Sequence, residues 1–317
     1  MALSTKAIKT RIKSVKNTKK ITKAMEMVSA AKMRKAVDAA LNTRMYARFA
    51  SELLDHLAGI DDPNYAFLEK RPVQKILMVV ISSNRGLCGG FNGSIIKKAS
   101  ALFHDKENLA RHRVVEGEET IPSMDNVEID VLGVGKKSVA FAKRHDLNLV
   151  GVYDELSETP SFEDVLSISN TVNARYMDKT YDKVVVLYTH FQSSLVQEVK
   201  VRQLLPVCAV DIEKMLADLP GEESEPVEVF PIEQYIFEPG LEQIIEYVMP
   251  RLVEIQLYQA ILESSASEHS ARMVAMKSAS EAADEMVGDL TLAFNKARQA
   301  AITQEIAEIS SGAAALE

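Results

Sequence analysis

The organisation of the chain is clearest in the stretch SEHSARMVAMKSASEAADEMVGDLTLAFNKARQAAI (267–302). Apolar or small residues recur there at alternating intervals of four and three, and the same spacing extends back to Leu241. The positions concerned are Leu241, Ile245, Val248, Leu252, Ile255, Gln259, Leu262, Ala266, His269, Met273, Met276, Ser280, Ala283, Val287, Leu290, Phe294, Ala297 and Ala301. This heptad predicts a coiled-coil helix of roughly 70 residues and about 100 Å. After Phe294 the stripe shifts to Ile302, Ile306, Ile309 and Leu316, which predicts local unwinding of the supercoil.

Glycine and proline divide the chain into three segments. Residues 1–58 contain neither, whereas residues 59–240 hold nearly all of the 13 glycines and 10 prolines. Because both residues disfavour helix interiors, the division predicts a helix, a mixed middle and a second helix. Pro250 lies inside the last segment and predicts either a kink or a later helix start.

The first segment is helical by composition, but its apolar stripe wanders. Ile8, Ile12 and Val15 form one run, and Ile21, Met25 and Val28 form the next; an Ala-rich stretch and a third run at Leu41, Met45, Phe49, Leu53 and Leu57 follow. Small side chains allow close helix approach, so we expect this helix to pack antiparallel on the C-terminal one. The C-terminal tip should extend past the shorter N-terminal helix.

The middle segment alternates strands and helices. Strands are predicted at 75–82, 127–135, 147–153 and 183–191, and helices at 94–103, 136–145 and 162–177. Residues 194–207 are expected to pair as a hairpin, and a short helix is expected at 211–217. This alternation is typical of a Rossmann-like α/β sheet. Residues 104–125 are interpreted as a loop insertion and 216–231 as an acidic connector.

The predicted fold class is therefore α/β plus a long antiparallel coiled coil. The N- and C-terminal helices form a rod mounted on a Rossmann-like α/β domain. The expected boundaries are 1–58 for the first helix, 59–237 for the α/β foot domain and 238–317 for the C-terminal helix.

Charge is distributed very unevenly along the chain. Lys and Arg are abundant in residues 1–50, which contain only Glu26 and Asp38 as acids, although the formal net charge of the whole chain is −8. Such asymmetry indicates an acidic partner for the first segment: a nucleic acid, an anionic lipid or an acidic protein. A solvated helix face that attracts the acidic C-terminal segment is the other interpretation.

No active site is visible in the sequence. The turn SSNRGLCGGFN (82–92) could approach a phosphate, but it does not match a dinucleotide or P-loop motif, and its glycines are interpreted as serving a tight turn. The six histidines lack metal-ligand spacing, and His269 is interpreted as a core or interface residue of the stripe. Cys88 and Cys208 are far apart and have no evident base. We therefore expect no catalytic residue, no cofactor and no metal.

Three stretches resemble the γ subunits of F-type ATP synthases of the bacterial type. RIKSVKNTKKITKAMEMVSAAKMRKA (11–36) is similar to their N-terminal helix, and SSNRGLCGGFN (82–92) to their glycine turn. The strings at 267–286 and 295–316 are similar to their C-terminal helix and are the most specific of the three. The resemblance spans almost the entire chain.

The resemblance implies a function without catalysis. Such a chain is the central stalk, or rotor shaft, that couples proton or ion flow through the membrane c ring to ATP synthesis or hydrolysis at the β subunits. It implies the α and β subunits, the ε subunit and the c ring as partners, with one copy per complex. It also implies a peripheral location at the cytoplasmic face of the bacterial cell membrane and no nucleic-acid partner.

The resemblance also implies contact residues. Met25 matches a position facing an acidic loop of the β subunit, with Lys19, Lys20 and Lys23 supplying complementary charge. Arg298 and Gln299 match a pair that engages a second β-subunit loop, and the tip residues Ile302, Ile306 and Ile309 match the part held in the apolar sleeve of the ring. At the foot, Arg85, Tyr235, Phe237 and Glu238 are expected to contact the c ring or ε.

Three other readings of the sequence compete with the rotor. A non-catalytic coiled-coil adaptor explains the rod but not the specific C-terminal string. A nucleic-acid-binding protein would use the basic helix, although residues 1–50 contain only two aromatic residues. A nucleotide-dependent enzyme would need measurable cofactor binding by the isolated chain.

Overall fold

The computed structural model describes residues 5–57, 66–69, 71–111, 113–115, 118–119, 127–207 and 241–314. The chain divides into two compact units. Met1–Ala30 and Arg272–Glu317 form the first, called here the helix-pair unit, and Ala31–Ala271 form the second, called the sheet unit. The expected domain boundaries near residues 58 and 237, the short helix at 211–217 and the acidic connector at 216–231 lie outside the described residues.

The sheet unit contains a five-stranded sheet in the order β5-β4-β1-β6-β7. The strands are β1 (Lys75–Ile81), β4 (Glu128–Val134), β5 (Leu149–Tyr153), β6 (Lys183–Phe191) and β7 (Gln197–Leu205). The first four are parallel, and β7 runs antiparallel to β6. Because successive parallel strands step outward from β1 on one side before the chain crosses to β6 on the other, the sheet has Rossmann-like topology. The predicted fold class is confirmed.

Alternate residues of the central strands pack on opposite faces of the sheet. Leu77, Val79 and Ile81 belong to one core cluster, and Ile76, Met78 and Val80 to the other. All of these side chains are buried, which explains why the sequence of β1 is an uninterrupted apolar run. The first face is covered by α5 (Phe162–Met177) and part of the C-terminal helix, and the second by α2 (Phe91–His104) and α4 (Lys136–Arg144).

The predicted strands and helices of the middle segment are found with small shifts at their ends. The helix α5 begins at Phe162 because Ser161 and Asp164 form a capping box there. The expected hairpin at 194–207 is a single strand, β7, which closes a hairpin with β6 rather than within itself.

The interpretation of residues 104–125 as a plain loop is wrong. The described part of this insertion contains the helix α3 (Lys106–Ala110) and a small hairpin of β2 (Arg113–Val115) and β3 (Glu118–Glu119). The Nζ atom of Lys183, at the start of β6, donates to the carbonyl oxygens of Leu109 at 2.8 Å and Arg111 at 2.6 Å. The buried Lys183 ammonium thus links the end of α3 to the sheet, and the two carbonyl oxygens compensate for its burial.

Replacing Lys183 by methionine should loosen the insertion. Methionine keeps an unbranched stem but removes both charge-assisted hydrogen bonds, so the free energy of unfolding should fall by about 1 to 3 kcal/mol. Amide exchange in residues 106–115 should accelerate as well. The exposed Lys143→Met on α4 is the control and should change the free energy by less than about 0.5 kcal/mol. Unaltered exchange in the Lys183 variant would contradict the anchoring role.

The C-terminal helix α6 (Leu241–Ala314) is continuous through Pro250. The alternative of a later helix start is therefore wrong. From Leu252 to Leu257 every residue is buried, and from Gln259 to Ser270 all except Ser265 and Glu268 are buried. The heptad predicts burial of one stripe only; within the sheet unit, α6 is surrounded on nearly all sides.

In the sheet unit, α6 pairs with the N-terminal helix α1 (Thr5–Leu57). Thr43 contacts Gln259, whereas Ala36, seven residues earlier, clusters with Ala266, seven residues later. The two helices are therefore antiparallel, as the sequence predicts.

In the helix-pair unit, the buried seam of α6 follows the predicted heptad. Met276, Ser280 and Ala283 are buried, and Val287, Leu290, Phe294 and Ala297 are half-buried among mostly exposed neighbours. On α1, however, the buried or half-buried positions of this unit are Thr5, Ile8, Ile12, Val15, Lys19, Thr22, Met25, Glu26, Ser29 and Ala30. Of the apolar run Ile21, Met25 and Val28, only Met25 is half-buried, since Ile21 is 61% and Val28 is 54% exposed.

Candidate functional site

The glycine turn between β1 and α2 is held by its own polar side chains. The hydroxyl of Ser83 donates to the carbonyl oxygen of Arg85 at 2.7 Å, and the amide of Asn92 donates to the Ser83 hydroxyl at 2.7 Å and to the sulfur of Cys88 at 3.1 Å. Cys88 is buried. Among the glycines of this turn, Gly89 adopts a positive φ of 55°, and Leu87 also has a positive φ of 63°. The interpretation that glycine serves a tight turn therefore applies to Gly89. At Gly86 and Gly90 there is open space where a Cβ would stand, so packing does not require glycine there.

The first amides of α4, beside this turn, are already bonded to protein atoms. Asn84 accepts from the amide of Lys136 at 3.1 Å, the carbonyl of Ser83 accepts from Lys137 at 3.3 Å, and the hydroxyl of Ser82 accepts from Ser138 at 2.7 Å. A helix N-terminus binds phosphate through such amides when they are free. Here residues that follow β1 accept the hydrogen bonds of these amides, so the start of α4 has no free amides with which to bind a phosphate.

Gly135 joins β4 to α4 with a φ of +88°, and a Cβ placed on it would lie 2.2 Å from the carbonyl oxygen of Ser82. We therefore expect Gly135→Ala to lower the free energy of unfolding by about 2 to 4 kcal/mol, since both the backbone angle and the clash oppose it. Gly90→Ala is the matched control: its φ is −82°, and it should be neutral or stabilising by up to about 1 kcal/mol. Denaturant unfolding of both variants tests this, and equal losses would contradict the role given to Gly135.

A cleft of about 290 Å³ lies over the carboxyl ends of β1 and β4. Glu158 is one of the residues that line it. It forms an ion pair with Arg85 at 3.0 Å and a second one with Lys32 of α1, and its carbonyl oxygen accepts from Ser265 and His269 of α6 at 3.2 Å. The predicted contact residue Arg85 is thus paired within the sheet unit, although 78% of its side chain stays exposed.

The predicted basic residues of α1 lie in the helix-pair unit. Lys19 forms an ion pair with Asp284 of α6 at 2.5 Å, and Lys23 pairs with Glu26 of its own helix at 2.9 Å. Lys20 is exposed, and Met25 is half-buried beside the seam. The side chains of Lys19 and Lys23 keep 40% and 56% exposure, so a partner can still reach their charges.

The predicted tip residues lie on the exposed end of α6. Arg298 and Gln299 are both exposed. Ile302, Ile306 and Ile309 are 48%, 62% and 74% exposed, which is unusual for three isoleucines on one helix. The remaining predicted residues, Tyr235, Phe237 and Glu238, lie outside the described residues.

The sequence does not predict two polar contacts of the sheet unit, those of Glu158 and those of the His190–Glu263 pair. Glu158 lies in an unremarkable loop, and no local pattern marks its contacts with α1, α6 and the glycine turn. The buried pair of Glu263 and His190, whose side chains are 2% and 6% exposed, joins α6 to β6 at 2.7 Å. Glu263 lies one turn after Gln259, a position of the buried stripe. A carboxylate beside this stripe is the feature of the sequence that could have indicated a buried polar pair.

The described ranges contain no cluster of three or more His, Cys, Asp and Glu side chains that could hold a metal ion. None of the helices in the described part of the chain is long and apolar enough to cross a membrane.

Comparisons with known proteins agree on one family. A family model described as ATP synthase matches residues 4–316. The ATP synthase gamma chain of Xanthomonas oryzae pv. oryzae (strain PXO99A) is 39% identical over 311 residues, covering 98% of both chains. That of Roseiflexus sp. (strain RS-1) is 40% identical over 316 residues, covering 99% of this chain and 98% of the relative.

Solved structures are similar in fold. The rotor of the Euglena gracilis mitochondrial ATP synthase matches with a TM-score of 0.60 at 19% identity, covering 94% of this chain and 98% of the other. A chain from the central stalk and c-ring structure of the Tetrahymena thermophila mitochondrial ATP synthase matches with a TM-score of 0.53 at 26% identity, covering 82% of this chain and 99% of the other.

Proposed function

The chain belongs to the γ-chain family of ATP synthases, and we propose how its two units perform the work of that family. It is a non-catalytic subunit, the central-stalk rotor that couples ion flow through the c ring to ATP synthesis or hydrolysis at the β subunits. The match over residues 4–316 carries this conclusion. Its partners are the ring of α and β subunits and the c ring, within a membrane-bound complex.

The outer face of α1 is the first proposed contact with the ring of α and β subunits. Lys20 and Lys23 present positive charge there, the seam residue Lys19 keeps 40% of its side chain exposed, and Met25 is half-buried. Between Lys19 and Ser29 the seam uses mostly polar side chains, and Ile21 and Val28 are exposed. An acidic loop of a β subunit complements this combination of positive charge and exposed apolar surface.

The end of α6 is the second proposed contact. Arg298 and Gln299 are placed to bond polar groups of a β subunit, and Ile302, Ile306 and Ile309 to sit in an apolar sleeve of the ring. Exposed polar contacts are individually worth only about 0.2 to 1 kcal/mol. Weak contacts suit a shaft that must exchange them as it turns.

The foot of the rotor is proposed to comprise residues 59–237, between the helices 1–58 and 238–317. Arg85, Tyr235, Phe237 and Glu238 are its proposed contacts with the c ring or with ε. Arg85 supports this assignment by its exposed guanidinium, which Glu158 orients. One copy per complex and a position at the cytoplasmic face of a bacterial membrane complete the proposal.

Co-expression with the α and β subunits of the same organism tests this function. The expected product contains one copy of this chain with three of each partner by native mass spectrometry, and its ATP hydrolysis depends on the chain. Adding ε should give a further one-to-one complex. A chain that stays apart from the ring and leaves hydrolysis unchanged would contradict the rotor and favour an adaptor with another partner.

A further inference from the structure

The buried part of α6 carries more polar contacts than a packed core helix needs. Between Tyr258 and Ser270, side chains on several sides of the helix are bonded to the surrounding sheet unit. Many of these side chains are buried: Gln259, Glu263, Ser267 and Ser270 are at most 2% exposed. Apolar residues at these positions would bury the same surface without requiring aligned partners.

The bonds leave α6 in three directions. Toward the β6–β7 hairpin, the hydroxyls of Ser267 and Ser270 donate to the carbonyl oxygens of Thr189 at 3.2 Å and Ser194 at 2.6 Å. Glu263 bonds His190 on the same side.

Toward the loop at 154–161, Tyr258 donates to the carbonyl oxygen of Pro160 at 3.4 Å, and Ser265 and His269 donate to that of Glu158. Burial raises the pKa of the Tyr258 phenol, which keeps it protonated as a donor. Toward α1, Gln259 accepts from Thr43 at 2.5 Å, and within α6 it donates to Glu263 at 3.2 Å.

Directional bonds of this kind constrain rotation in a way that apolar packing does not. A hydrogen bond weakens steeply when its angle or length departs from the optimum, whereas the hydrophobic effect depends on buried area and has no direction. Because most of these acceptors are backbone carbonyls of the sheet unit, a turn of α6 about its own axis would break bonds on several sides at once.

We propose that the polar side chains of α6 between Tyr258 and Ser270 form a torsional key that locks α6 to the sheet unit. The key makes the sheet unit turn with the helix, and its members are positioning residues for torque transfer. This inference rests on the proposed rotor function, because torque passes between α6 and the sheet unit only if the chain rotates.

The test measures torsional stiffness in the assembled complex of this chain with α and β subunits. The ring is fixed to a surface, a probe is attached to the sheet unit through Lys98→Cys in a chain with Cys208→Ser, and its angular variance is recorded at rest. The double variant Ser267→Ala/Ser270→Ala should broaden the variance by about 1.5- to 2-fold, because it removes both hydroxyl bonds to the hairpin.

A matched control and a second variant make the result decisive. Ser278→Ala removes an exposed hydroxyl from the same helix and should leave the variance unchanged. If the double variant does not assemble, Tyr258→Phe/Ser265→Ala tests the same key at half-buried positions. A variance equal to that of the control in an assembled variant overturns the torsional key. Failure of the unaltered chain to assemble would instead contradict the proposed function.

Discussion

Replacing Glu263 by alanine is expected to lower the free energy of unfolding of the chain by about 3 kcal/mol or more. The Glu263 carboxylate bonds both His190 and Gln259 in a buried site, and its removal leaves two polar groups without their acceptor. Denaturant unfolding followed by circular dichroism measures the loss. Glu281→Ala, at an exposed position of the same helix, should change the free energy by less than about 0.5 kcal/mol.

The double variant His190→Leu/Glu263→Leu separates the cost of leaving a buried polar group unpaired from the cost of altered packing. Because the double variant also replaces the imidazole that Glu263→Ala leaves unpaired, it should recover part of the lost stability, while the Gln259 amide remains without its acceptor. If Glu263→Ala unfolds like the Glu281→Ala control, the buried pair does not stabilise the sheet unit.

Replacing Met25 by lysine should uncouple ATP hydrolysis from ion pumping in the assembled enzyme. If the proposed acidic loop of a β subunit faces this side of α1, the new ammonium gains a charge-assisted bond of about 1.5 to 3 kcal/mol, which slows release of one rotor position. The number of ions pumped per ATP hydrolysed should therefore fall in inverted membrane vesicles, while hydrolysis continues.

Met177→Lys is the matched control for Met25→Lys. It adds the same charge in place of a methionine that is 48% exposed on α5, in the sheet unit. Its pumping ratio should equal that of the unaltered enzyme. A normal ratio in Met25→Lys as well would show that this face of α1 does not meet the acidic loop.

The sheet could be predicted because its signals are local. The apolar runs at 76–81 in β1 and 184–188 in β6 are uninterrupted because both faces of those strands are buried, and a glycine turn follows β1. The heptad stripe of α6 could be predicted as well: its positions from Met273 to Ala297 are buried or half-buried, whereas Ala301 is exposed.

Between Lys19 and Ser29 the seam of α1 could not be predicted, because most of its members there are polar. Lys19, Thr22, Glu26 and Ser29 face α6, whereas Ile21 and Val28 face outward. A search for hydrophobic periodicity assigns the apolar side of a helix to the interior. That assignment is wrong where the apolar residues of the helix are exposed, as Ile21 and Val28 are. The structure thereby adds Ile21 and Val28 to the exposed surface considered for ring contact.

Contacts between residues that are far apart in the sequence could not be predicted either. Glu158 meets Lys32, Arg85 and His269, which come from three distant segments, and only the folded chain brings them together. The insertion at 104–125 was interpreted as a loop because its anchor, Lys183, lies at the start of a distant strand.

Direct observation of rotation tests the central claim most sharply. With the ring of α and β subunits fixed to a surface and a probe on the sheet unit of this chain, addition of ATP should turn the probe continuously in one direction. A probe that stays still, or that only fluctuates about one angle while the ring hydrolyses ATP, would show that this chain is not the rotor.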